Sequence, residues 1–151
     1  MKKVMKKMST LIRCYSELIL LPTFDERYDY LKLDGSIGKE TFGVNRWLNQ
    51  VFYHTDEWKR IRRDVINRDF GRDLGVLGYD IFGYIYVHHM NPITKNDIDS
   101  RSRYLLDPEF MICCRKRTHD MIHYGNEKDT VYQPVIERTP GDTCLWKRRI
   151  T

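Results

Sequence analysis

Four of the five histidines in this 151-residue chain stand in two close pairs, His88-His89 in "VHHMNPI" and His119 with His123 in "THDMIH". Imidazole is neutral near pH 7, so it can lend a lone pair to a metal ion or take a proton from water. Two histidines four residues apart lie on one face of a helix, about one turn apart, the usual way a helix offers two ligands to one ion. A third ligand must come from elsewhere, and His88 or His89, at the end of a strand, supplies it. Neighbouring strand residues point to opposite sides. One of that pair therefore binds the ion and the other stays free to move a proton. A ligand beside a base suits phosphodiester hydrolysis, where a metal stabilises charge on the phosphate and neutral imidazole activates water. Either pair alone is structural at least as often as functional. The two together, separated by strand, loop, strand and helix, favour a metal site. His54 has no partner in sequence and reads as structural or superficial.

These side chains need elements to hold them. "RKRTHDMIHYGN" reads as a helix ended by Gly125, and "EFMICC" before it as a short apolar strand. "GYDIFGYIYVHH" reads as a β-hairpin with a tight turn near Phe82-Gly83. Residues 90–106 are polar and carry Asn91-Pro92, which predicts a long loop. Upstream, "TDEWKRIRRDVINRDF" is the clearest helix in the chain. Thr55 is its N-cap, Asp56 and Glu57 favour its positive end, Trp58, Ile61, Val65 and Ile66 form its apolar stripe, and Gly71 stops it. Residues 9–20, capped by Ser9 or Thr10, and Thr23–Leu33, closed by "DGSIG", read as two shorter helices. The tail after residue 130 carries Pro134, Pro140 and Gly141 and is expected to wrap the surface.

Hydrophobic residues make up 41% and aromatics 13%, enough for a core and too much for a disordered chain. The balance of 26 Lys+Arg against 21 Asp+Glu is modestly basic, so the placement of charge matters more than its size. Basic clusters at Lys59–Arg63, Arg101–Arg103, Arg115–Arg117 and Lys147–Arg149 make a polyanion, nucleic acid first, the expected partner, although solvated surface charge would give the same net charge. The four cysteines include no C-x-x-C, and Cys113 and Cys114 are adjacent, so reduced thiols in a cytosolic protein are expected. A place for that pair in a strand core is preferred to ligand duty. Arg13 and Glu17 interrupt the apolar part of the N-terminal segment, which reads as an amphipathic helix and not as a signal peptide or membrane span.

A strand ending in "VHHMNPI", a loop, then "LDPEFMIC" and "RTHDMIHYG" resembles the HNH, or His-Me finger, endonucleases. The flanks "WLNQVFYHTDEWKRIRRDVINRD" and "ERTPGDTCLW" look like the HNH nucleases of bacteriophages, so the likeness runs over most of the chain from about residue 20 onward. It implies an α+β fold: a ββα-metal core within residues 55–130, an N-terminal helical extension over 1–54, and a tail, 131–151, packed on the core. By the same resemblance His88 is the first metal ligand, His89 the general base, and His119 and His123 complete the site. The middle residue of the family motif, usually Asn, falls on Phe110, so the base is expected to be oriented by a backbone carbonyl at that position. No second, structural zinc is expected, because paired Cys-x-x-C knuckles are missing.

The expected activity is hydrolysis of DNA by water attack on a phosphodiester, with one divalent ion. Three imidazoles suit Zn, Ni, Mn or Co better than Mg, while the resemblance keeps Mg and Mn as working ions. Lys59, Arg60, Arg63, Arg115, Lys116 and Arg117 are the candidate phosphate contacts. The competing reading is a non-catalytic, metal-stabilised nucleic-acid-binding protein, with an RNase as a third. A second copy of the chain or another phage protein is a candidate partner, and the host cytoplasm the expected compartment.

Overall fold

The structure is a computed structural model, and it describes residues 11–33 and 41–125. The expected "DGSIG" turn, Ser9 and Thr10, and the tail after residue 130 lie outside the described residues. In chain order the elements are α1 (Tyr15–Leu18), α2 (Phe24–Leu31), α3 (Thr41–Gln50), α4 (Asp56–Asp69), β1 (Tyr86–His89), α5 (Lys95–Asp99), α6 (Arg103–Leu106), β2 (Met111–Cys114) and α7 (Lys116–Tyr124). Short 3-10 turns at Phe52–His54 and Pro108–Phe110 precede α4 and β2. The fold is α+β: helices around a small two-stranded antiparallel sheet.

Local chemistry explains the helix ends. The Thr55 hydroxyl accepts from Trp58 N and caps α4, and Phe70 takes the left-handed conformation at its far end, φ 55. Thr23 and Glu26 form a reciprocal capping box on α2. The first helix is shorter than residues 9–20 suggest, with regular turns only from Tyr15 to Leu18.

β1 pairs with β2 in the register Tyr86↔Cys114 to His89↔Met111. The hairpin expected within residues 78–89 is not formed. Gly83 does turn the chain, with φ 105, but Asp80 bridges back to Arg72 and Asp73 N donates to Tyr79 O. Those bonds close residues 72–80 on themselves and leave β1 to find its partner across the 90–110 segment. That segment is not the loop expected from its polarity, since it contains α5 and α6. Thr94 and Asp97 cap α5 reciprocally, and the T-x-x-D spacing that signals it stands in the sequence.

The outer edge of β2 is covered by side chains, which keeps the sheet at two strands among the described residues. Asp69 Oδ2 accepts from Cys113 N at 2.8 Å, and Arg68 donates to Met111 O at 2.6 Å and to Pro108 O at 2.7 Å. Leu74 N takes the Cys113 carbonyl. A covered edge offers no template to another strand.

The sheet separates two apolar clusters. Met111 and Cys113 pack with Leu48, Phe52, Trp58, Val65 and Leu105; Ile112 packs with Leu18, Leu31, Leu33, Met90 and Ile122. Both clusters join residues before position 54 to residues after it. Each fully buried Leu or Ile contributes about 1.5–3 kcal/mol, so the N-terminal helices complete the core under β1 and β2. Cys113 and Cys114 are fully buried within it. Burial, chiefly, pushes the Cys113 thiol up to about 12 and raises that of Cys114 well above its ordinary value. No described helix is long and apolar enough to cross a membrane.

Candidate metal centre

Strand alternation sends the adjacent histidines to opposite faces of the sheet. His88 shares its face with Ile112 and turns towards α7, where its ring centroid lies 5.3 Å from that of His119 and 4.8 Å from that of His123. His119 and His123 are one helical turn apart on α7, 4.4 Å between centroids. One nitrogen from each of the three imidazoles can be chosen so that all lie within 4.8 Å of one another. The three residues thus lie close enough to hold a metal ion.

The donor set fits such an ion. His88 Nε2 and His123 Nδ1 are buried and have no hydrogen-bond partner, a state that a buried polar atom avoids unless something else satisfies it. Neutral nitrogen donors suit a divalent transition ion. Desolvation first, then the neighbouring imidazoles, hold His88 well below the usual histidine range, and desolvation followed by His119 lowers His123 to about 4. Desolvation also lowers His119, partly offset by Asp120. Asp120 Oδ1 lies 3.6 Å from His119 Nδ1, within ion-pair reach and beyond hydrogen-bond length.

His89 turns the other way, onto α4. Its ring stacks on Trp58, 5.6 Å between centroids at 23°, and is 9% exposed. Its Nε2 lies 3.1 Å from the carbonyl oxygen of Leu105. The carbonyl can only accept, so this bond puts the ring proton on Nε2 and leaves Nδ1 as the acceptor. Burial lowers His89 to about 4, with the Leu105 bond acting in the opposite sense. The carbonyl at position 110, expected to orient this ring, instead accepts from Met90 N at 2.9 Å. The Phe110 ring is 5% exposed, lying against Tyr104 at 4.8 Å and under the Arg103 guanidinium at 4.9 Å.

A cavity of about 770 Å³ joins these groups, lined by His88, His119 and His123, by His89, and by His54, Lys59 and Arg62 among others. Of the expected phosphate contacts only Lys59 lines it. Arg60 and Arg63 are exposed and do not line the cavity. Arg115 is engaged elsewhere: its guanidinium lies 3.9 Å from the centre of the Tyr79 ring and its Nε 3.8 Å from Asp73 Oδ2. Lys116 pairs with Asp120 at 2.5 Å, and neither it nor Arg117 lines the cavity. Arg62 lies inside the basic Lys59–Arg63 run but was not singled out within it. It is anchored to Ile85 O at 2.9 Å and lies one turn along α4 from Lys59. That i,i+3 spacing was the available signal. His54, expected to be idle, sits in the cavity wall.

Compared with protein-family models, with curated proteins and with solved structures, the chain finds no match in any of them.

Proposed function

We propose that the chain is a metal-dependent DNA endonuclease of the HNH type, with β1, β2 and α7 as its ββα-metal core. The observation that carries this reading is the convergence of three imidazoles with two orphaned buried nitrogens on one side of β1, with a fourth imidazole, His89, lining the same cavity. His88, His119 and His123 would hold the ion. Bound there, a divalent ion supplies charge stabilisation to the scissile phosphate and the leaving oxygen.

The remaining work falls to the chain. Leu105 keeps the proton on His89 Nε2, so Nδ1 is the atom that accepts a proton from water. As the water oxygen bonds to phosphorus, the bond from phosphorus to the leaving sugar oxygen breaks, and that oxygen takes up a proton from solvent. Trp58 fixes the plane of the His89 ring by stacking. Lys59 and Arg62 meet the phosphate backbone from the α4 side.

A plasmid-nicking assay with a panel of divalent metals tests this. Nicking that EDTA abolishes and metal restores is the expected result; no cleavage with any ion removes the proposal. One observation favours the second reading, a metal-stabilised nucleic-acid-binding protein without catalysis: His89 is packed and hydrogen-bonded as a structural histidine would be. In that case the protein binds DNA and never cuts it.

A further inference from the structure

Hydrolysis of a phosphodiester needs a metal, a base and cations, but the cavity also carries exposed aromatic rings on both sides of the imidazole cluster. On one side Tyr84, 70% exposed, meets Tyr86 edge-on at 5.1 Å, and Tyr86 lies 5.3 Å from the His119 ring. On the other side Tyr124, 73% exposed, lies 6.0 Å from the His123 ring. The Arg62 guanidinium stands 5.3 Å from the centre of the Tyr84 ring and extends the series. Single exposed aromatics are ordinary on a protein surface. Rings that continue through a cluster of three histidines and out beyond it, with Lys59 and Arg62 lining the same cavity, form an arrangement with a direction.

We propose that this series is a stacking platform for unpaired nucleotides, so that the strand crossing the imidazole cluster is single-stranded DNA or duplex opened at the point of attack. The proposal rests on the nuclease reading above and names its substrate. Inside a duplex both faces of every base are covered by its neighbours, and a tyrosine can stack only on a base released from that arrangement. Every base has a π-face, so the platform is tolerant of sequence, while Lys59 and Arg62 follow the backbone by charge. Tyr84 and Tyr124 take the bases on either side of the phosphate that faces His88, His119 and His123.

Fluorescence anisotropy with the full chain as purified tests the idea. The probes are fluorescein-labelled DNA with phosphorothioate linkages to suppress cleavage: a single strand, its blunt duplex, and that duplex with a central unpaired bubble. The single strand and the bubble should bind at least about tenfold more tightly than the duplex. Tyr84→Ala with Tyr124→Ala should erase the preference, and Tyr84→Phe with Tyr124→Phe should keep it, since the ring and not the hydroxyl makes the contact. Both side chains are largely exposed, so these variants leave the core intact, and a melting curve verifies that. Equal or tighter binding of the duplex, or Phe variants as weak as the Ala variants, overturns the platform. Plasmid nicking separates the two ideas. Strand preference without cleavage removes the nuclease and leaves the platform, and cleavage without strand preference removes the platform alone.

Discussion

Leu105 holds His89: the backbone carbonyl of the first stands 3.1 Å from Nε2 of the second, across sixteen residues of chain. Leu105 is itself 1% exposed and packed in the α4-side cluster, so the carbonyl is fixed by the core. A rigid acceptor of this kind fixes the tautomer and the orientation of the imidazole together. His89→Ala should therefore remove a positioned base and nothing else of the site. We expect full metal content, unchanged DNA affinity and a loss of cleavage of about 10²-fold or more, read in the nicking assay beside metal analysis. Wild-type cleavage by the variant would show that another group takes the proton.

Metal content follows from His119 and His123. Either one changed to Ala leaves two imidazoles of three, too few to hold an ion well. Metal analysis should show the ion lost in the double variant, where full occupancy would place it elsewhere. The loss should also appear in melting. An ion present at about a hundredfold over its Kd adds about 2.7 kcal/mol to the native state, so wild type should melt lower in EDTA and the double variant should not respond.

The convergence of these histidines was legible because it depends on two local rules, the helical turn and strand alternation. His119 and His123 had to share a face of α7, and His88 and His89 had to part. Where the sequence misled, the deciding contacts were distant ones. The hairpin lost to a pairing of Tyr86–His89 with Met111–Cys114. Arg115, a phosphate contact by charge, is drawn to Asp73 and Tyr79, neither of them near it in sequence. The helix at Lys95–Asp99 was readable from Thr94 and Asp97 and was obscured by the polarity around it.

The cavity places the useful cations at Lys59 and Arg62. Phosphate contacts release counterions, so affinity falls with salt, and each lost contact lowers that slope by about 1. Lys59→Ala with Arg62→Ala should flatten the salt dependence of DNA binding by about 2, while Arg60→Ala with Arg63→Ala should change it little. The reverse order would move the DNA from the cavity to Arg60 and Arg63.

Alkali should loosen the wall behind His89. Tyr53 packs 4.9 Å from Trp58, and burial pushes its phenol from 10.0 up to about 12. Between those values the unfolded chain has lost the proton and the folded chain keeps it, so stability falls as pH rises through the window. Tyr30 shifts in the same direction through burial and its bond to Glu17. Denaturant melts at rising pH should show this decline, and Tyr53→Phe should remove part of it; an identical slope in the variant would mean that Tyr53 ionises freely.

On the proposed HNH reading, Phe110 stands where Asn is usual, and its surroundings say what Asn would do there. The ring is 5% exposed between Tyr104 and Arg103, and Leu105, not position 110, orients His89. Phe110→Asn therefore removes a packed ring and buries an amide, with nothing gained at the base. The exchange should cost about 3 kcal/mol, or roughly 10 °C in Tm for a chain of this size. Below that Tm the rate should change less than about tenfold, the equivalent of about 1.4 kcal/mol. A variant that keeps its Tm and cuts far faster would show that the Asn side chain finds a partner near the base, and that the Leu105 carbonyl alone is a poor substitute for it.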